Sequence, residues 1–287
     1  MDGATRTYLT RVAILAGALA ALATVFYFAP LPFNGVDWLT YHETALRLLQ
    51  GLPIYGVIVG ANCVYFNAPW LIVILAPIAL LPFRLGYGLF CALNVGLVYA
   101  LGRRFGFSPA KIAALLVSPP VVYVLLYGQV DLVVLSLAIF LPVEFRPLVA
   151  LAKPQTVIAL SLGALRRWRT TLVVTILGIL LSLALFGNWP VAALSRPLPY
   201  VDNPNNYWFG FWPSQLPLAA LLMVLGGFSS DLLLMAASPF VSPYATTYSF
   251  VGPAMAIVSR LRIRDTVLVW IVWWGVIIFR WLVGGHA

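Results

Sequence analysis

The chain has 287 residues, of which 62% are hydrophobic and 9% charged, with seventeen Lys and Arg against eight Asp and Glu. A soluble globule carries about a quarter charged residues on its water-facing surface, and a disordered chain is poor in apolar residues. Both classes are excluded, and a mean hydropathy of +0.98 describes an all-α polytopic membrane protein instead.

A crossing helix needs roughly 20 apolar residues. The length therefore predicts about ten transmembrane or half-membrane helices in a single transmembrane domain spanning 1–287. The net charge of +9 falls in clusters between apolar runs, the pattern of the positive-inside rule. No basic stripe is interleaved with exposed aromatics, so nucleic acid is not an expected partner. Two cysteines, Cys63 and Cys91, and two histidines, His42 and His286, make neither a disulfide framework nor a metal centre. No P-loop, Gly-x-Ser-x-Gly, His-Glu-x-x-His or Asp-x-Asp motif occurs, and no cofactor is expected.

Arg6 and Arg11 precede an apolar run, Val12–Ala29, which reads as an uncleaved first helix with a cytoplasmic amino end. Residues 30–66 then form a first extracytoplasmic loop. Within it, Leu39, Leu46, Leu48, Leu49 and Leu52 share a stretch with Thr40, His42, Glu43 and Arg47, predicting an amphipathic helix at the interface. Pro69–Phe83 is short and interrupted by prolines, and reads as interfacial or re-entrant. Leu85–Leu101 is the second crossing, because it puts Arg103, Arg104 and Lys111 inside.

Ile112–Tyr127 runs outward and Leu132–Leu141 returns toward Arg146. Leu148–Ala152 and Thr156–Leu165 form a short pair closing at Arg166, Arg167 and Arg169, and Thr171–Phe186 goes out again. Residues 187–214 are a second extracytoplasmic loop rich in Trp, Tyr and Asn. Leu216–Phe228, a broken Leu232–Tyr248, Phe250–Val258 and a last outward helix Val267–Phe279 complete the pass. Arg47, Arg84, Lys153, Arg196 and Arg280 are the bases that this topology leaves off the inner face. No inverted repeat and no evident pairing of intramembrane charges points to a transporter.

Those exceptions and the few acids are the candidates for chemistry. Asp37 follows the first helix on the outer face. A carboxylate at an apolar boundary can act as a general base, whereas Asp before a helix start is commonly an N-cap. Lys153, between Ala152 and Pro154, is either a phosphate-binding cation or a lysine that snorkels to the interface. Gln129 and Asp131 either cap a helix junction or bind a polar substrate. Tyr41, His42 and Arg47 lie near Asp37 in sequence, with His42 readable as a phosphate contact or as a solvated loop histidine.

Taken in order, several motifs resemble one family. They are Val36-Asp37-Trp38-Leu39-Thr40-Tyr41, Leu49-Gln50-Gly51-Leu52-Pro53-Ile54-Tyr55, Phe66-Asn67-Ala68-Pro69-Trp70 and Ala76-Pro77-Ile78-Ala79-Leu80-Leu81-Pro82. Gly128-Gln129, Lys153-Pro154 and Arg166-Arg167-Trp168-Arg169 follow. The chain is similar in these to glycosyltransferase family 87, within the GT-C superfamily of polyprenyl-phosphate-sugar-dependent membrane transferases, over most of residues 8–190. The resemblance implies a GT-C-like bundle in a bacterial inner membrane, with its active site on the extracytoplasmic face. It implies an inverting transfer of a mannose-like sugar from a polyprenyl-phosphate donor to a lipid or glycan acceptor. Asp37 would be the catalytic base, and Lys153, with Arg47 or His42, would stabilise the departing phosphate; Tyr41, Gln129 and Asp131 complete the expected substrate-binding set.

Three features depart from the family. Phe66-Asn67-Ala68-Pro69-Trp70 stands where a Tyr-Pro-Pro-Leu element is usual, Asp131 replaces a small polar residue, and the chain is shorter. They keep open an alternative, a non-catalytic GT-C-like membrane subunit or lipid-binding scaffold of a larger complex.

Overall fold

The computed structural model describes residues 17–18, 20–28, 35–59, 63–194, 206–208, 210–227 and 229–284. The start of the first predicted helix and residues 195–205 of the second polar loop, Arg196 among them, lie outside them. The described chain is helical apart from one small hairpin.

Helix α1 covers residues 20–28. Gly35, in a left-handed conformation at φ 58°, turns the chain into α2, Val36–Leu49. Trp38, Tyr41 and Ala45 recur at helical spacing along α2 and are all buried, so its apolar stripe faces protein. Trp38 stacks on Phe90 at 4.5 Å between ring centroids. The predicted amphipathic helix is therefore present: Trp38, Tyr41 and Ala45 pack into the core, while Leu46, Leu49 and Leu52 of the predicted leucine stripe stay exposed.

Strands β1, Ile58–Val59, and β2, Cys63–Val64, form a two-residue antiparallel hairpin. It is the one departure from an all-α chain among the described residues. Helix α3, Pro69–Ala79, is a separate eleven-residue element carrying Pro77. Helix α4, Phe83–Arg104, has 22 residues. A Cβ on Gly88 would lie 2.5 Å from the Ala23 carbonyl oxygen, so α1 and α4 touch backbone to backbone at that glycine.

The predicted single crossing Ile112–Tyr127 is two helices. Ser118 and the Pro119-Pro120 pair separate α5, Pro109–Leu116, from α6, Pro119–Tyr127, with a bend of 56°. Proline has no amide proton to give to the preceding turn, which is why hydropathy runs on while the helix does not. Helix α7, Asp131–Phe140, is followed by a 3-10 turn and α8, Arg146–Ala152. A four-residue α9, Pro154–Val157, and a 3-10 stretch, Ile158–Arg167, lead into α10, Trp168–Phe186.

Helix α11, Trp189–Leu194, begins the second predicted loop, so that loop is not wholly irregular. Helices α12, Leu216–Gly226, and α13, Asp231–Val241, form an antiparallel pair. A 3-10 turn, Thr247–Phe250, opens α14, Val251–Arg260, and α15, Ile263–Gly284, is last described. Among the described residues three stretches are long and apolar enough to cross a membrane: Phe83–Arg104, Pro154–Phe186 and Ile263–Val283. The bent α5–α6 pair makes a fourth if it is one span. On α10 and α15 apolar side chains such as Leu177, Leu181, Val272 and Phe279 are more than half exposed, the reverse of a water-facing helix.

A buried ion pair ties the bundle together away from the hairpin. Arg146 donates to both oxygens of Asp231 at 2.8 and 3.0 Å, and also to the carbonyls of Ala138 and Leu160. Arg146, expected as one of the inner-face bases, is thus a partner of α13. Lys153 with Asp131 is a second such pair. Neither pair is evident from the sequence.

Candidate functional site

Two glycine-dependent turns set the positions of the polar side chains. Gly128, at φ 71°, closes α6 in the left-handed conformation and lets Gln129 and Asp131 follow at the start of α7. A Cβ at Gly128 would stand 2.5 Å from Trp38 Cβ, so the turn presses directly on α2 beside Asp37. Gly128→Ala is expected to lower stability by about 1–3 kcal/mol, through both backbone strain and overpacking. A drop in the melting temperature of the detergent-solubilised protein checks it.

Asp37, Tyr41, Gln129 and Lys153 meet at a cavity of about 540 Å³. Its walls are aromatic and apolar, including Tyr65, Trp189, Tyr244, Tyr248, Leu151 and Ile158. The Lys153 ammonium donates to Asp131 Oδ2 at 2.6 Å and to Gln129 Oε1 at 2.5 Å. It also lies 4.7 Å from the centre of the Tyr248 ring. Thr156 donates to the other Asp131 oxygen at 2.6 Å. Tyr41 hydroxyl donates to Gln129 Oε1 and accepts from the Asn67 amide, each at 3.3 Å.

Neither cap expected from sequence is made. Gly35 occupies the N-cap of α2, and Asp37 sits in the first turn with its carboxyl at the cavity. Val130 occupies the N-cap of α7, and Asp131 is fully buried behind Lys153, off the cavity wall. Asp131 is thereby the counter-ion of Lys153. The same pairing changes Lys153, which neither snorkels nor stands as an open cation.

Asp37 is half-buried, and what exposure it has is to the cavity. Burial pushes its carboxyl from 3.8 up to about 6, against the opposing pull of the Lys153 charge and a hydrogen bond from Gln129; the Asp131 charge adds to the rise. Burial likewise holds the Tyr41 and Tyr248 phenols well above their ordinary value.

Two predicted site residues stay outside. His42 Nδ1 is 2.5 Å from the Ala79 carbonyl and its ring packs edge-on to Phe83, so it joins α2 to the end of α3. Arg47 donates from Nε to the Pro53 carbonyl at 2.7 Å and closes the turn after α2. Neither lines the cavity. Sequence reasoning missed Thr156, Asn67 and Tyr248, whose roles rest on partners distant along the chain and leave no local signal.

The helices that bring residues to the cavity carry bases at their other ends. Helix α10 runs from beside Arg166, Arg167 and Arg169 toward Trp189, and the 3-10 turn that holds Tyr248 leads into α14, which ends at Arg260. The α5–α6 pair runs from Lys111 to Gln129, and Lys111 bonds the Ser259 carbonyl at 3.0 Å beside Arg260. Arg103 and Arg104 end α4, while Tyr87 near its start donates to the Leu125 carbonyl just below the Gly128 turn. These clustered bases lie at one end of the bundle and the cavity at the other, with Arg47, Arg84 and Arg280 outside the clusters.

Fold and site define a class, a helical bundle with long apolar helices and a carboxylate–lysine cavity at the end away from the Arg103-Arg104, Arg166-Arg167 and Arg260 clusters. No family model, curated protein or solved structure matches the chain.

Proposed function

We propose that the chain is a polytopic membrane enzyme, an inverting glycosyltransferase that takes a mannose-like sugar from a polyprenyl phosphate. The observation that carries this reading is Asp37, a carboxylate poised near pH 6 at an aromatic-walled cavity. Asp37 accepts the proton of an acceptor hydroxyl, the acceptor oxygen forms a bond to the anomeric carbon, and the bond from that carbon to the phosphate oxygen breaks. The electron pair leaves with the polyprenyl phosphate, and the sugar inverts.

Membrane insertion is supported by the exposed apolar faces of α10 and α15. The basic end of the bundle, read by the charge rule, is cytoplasmic, which turns the cavity to the extracytoplasmic face of a bacterial inner membrane. Donor, acceptor and surrounding lipid are the partners. The similarity to glycosyltransferase family 87 in Val36–Tyr41, Gly128-Gln129 and Lys153-Pro154 supports the same reading. Tyr and Trp side chains on the cavity wall suit the apolar faces of a sugar ring.

One observation favours the alternative of a non-catalytic lipid-binding subunit. Among the described residues Lys153 is the one cation lining the cavity, and Asp131 already neutralises it. The test is transfer of labelled sugar by the purified chain in liposomes, from synthetic polyprenyl-phosphate mannose, glucose and arabinose. Transfer from one of these donors is expected. A folded chain that binds a donor lipid but transfers none of the three sugars overturns the enzyme in favour of the binding subunit.

A further inference from the structure

The Gln129 amide is held in one orientation by chemistry. Its oxygen faces the Lys153 ammonium at 2.5 Å and the Tyr41 hydroxyl at 3.3 Å. Turning the amide over would set its NH2 against an ammonium that can only donate. The NH2 therefore points away from Lys153, and Asp37, which lines the same cavity as Gln129, is the carboxylate whose charged form it favours. Lys153 is fixed in turn. Of its three N–H bonds, one goes to Gln129, one to Asp131, and the remainder of the charge rests over Tyr248. Asp131 spends its two oxygens on Lys153 and Thr156.

We propose that Thr156, Asp131, Lys153 and Gln129 form a relay that positions Asp37, so that Lys153 and Gln129 act on the reaction through this carboxylate and not by holding the substrate phosphate. The proposal deepens the transferase reading and rests on it only for the role of Asp37. Removing a member frees the amide to rotate, and Asp37 loses a donor that prefers its charged form.

The groups facing Asp37 from the packed elements are Lys153, Asp131 and Gln129, with Tyr41 on its own helix. Cys63 on β2, Tyr127 at the end of α6 and Tyr248 before α14 complete the set. Burial raises the Cys63 thiol as well as the Tyr41 and Tyr248 phenols. These keep their protons where Asp37 titrates, so a change near pH 6 reports Asp37.

The experiment reads Asp37 without needing turnover. Dicyclohexylcarbodiimide attacks protonated carboxyls in apolar surroundings, and peptide mass spectrometry locates the adduct. The full chain in detergent is labelled between about pH 5 and pH 8, as wild type, Gln129→Leu and the double variant Asp131→Asn/Lys153→Met. The double variant leaves no buried charge orphaned, and Gln129 faces the cavity, where a shorter side chain meets open space. In both variants the midpoint of Asp37 labelling is expected to rise by about one pH unit, because a favourable partner of the carboxylate is gone. In the double variant the Lys153 contribution outweighs that of Asp131.

A midpoint that stays or falls in either folded variant overturns the relay. In a transfer assay the relay predicts a fall in kcat with the donor KM unchanged, whereas a phosphate clamp raises KM. Shifted labelling in a chain that transfers no sugar leaves the relay standing and removes only the transferase reading.

Discussion

Asp37→Asn is expected to reduce sugar transfer by about 10²–10⁴-fold, the range a positioned general base contributes, with the protein folded and its donor affinity retained. The reasoning starts from isostery. Asn keeps the volume and can still accept from Gln129, but it cannot take a proton from the acceptor hydroxyl. Transfer by the folded variant at the wild-type rate removes Asp37 from the chemistry.

The same residue fixes the pH dependence of the wild type. Its carboxyl is raised to about 6 in the folded chain, from 3.8. The base form is present above that value, so the rate falls about tenfold per unit as pH drops below it. The stability effect has the opposite sign. A carboxyl whose folded value is raised is more favourable protonated, so the stability from this group is present below about pH 4 and is lost as pH rises through 6. Asp37→Asn removes that loss, and the variant is expected to melt at or above the wild-type temperature at neutral pH. A rise in melting temperature together with lost transfer is the signature of a strained functional group.

Hydropathy located α4, α10 and α15, because each needs only a long apolar run. Apolar content alone read through the Ser118–Pro120 break, whereas the Pro119-Pro120 pair marks it in the sequence, since the cause of the bend is a missing amide proton. The site was half legible. Asp37, Tyr41, Gln129 and Lys153 stood out as polar residues in apolar surroundings, and the cavity collects all four. His42 and Arg47 were drawn in by nearness in sequence to Asp37. A helix disperses neighbours around its circumference, and these two project toward α3 and the following loop. Capping preferences misread Asp37 and Asp131, because both carboxylates have stronger demands on them than a backbone N–H. Thr156 and Asn67 are small polar residues without charge, and nothing in a single sequence separates them from ordinary surface ones.

The long-range pair Arg146–Asp231 was illegible for the same reason, with 85 residues between its members, and it carries the largest expected stability effect. Breaking a buried ion pair leaves the remaining charge without compensation, at a cost of about 3–5 kcal/mol. The two single variants should not be equal. The Arg146 side chain is 9% exposed, whereas that of Asp231 is 26% exposed. After Asp231→Ala the guanidinium keeps only the Ala138 and Leu160 carbonyls and sits where water cannot replace the carboxylate. After Arg146→Met the Asp231 carboxylate can still be hydrated at the start of α13. Asp231→Ala is therefore expected at the upper end of that range and Arg146→Met at or below the lower end. The double variant Arg146→Met/Asp231→Leu removes both charges and restores most of the loss, since an apolar pair of similar volume needs no desolvation. Chemical denaturation of the three variants in detergent checks the order. A double variant as unstable as Asp231→Ala would show that the pair holds α8 against α13 by its geometry, and that the orphaned charge is not the cause.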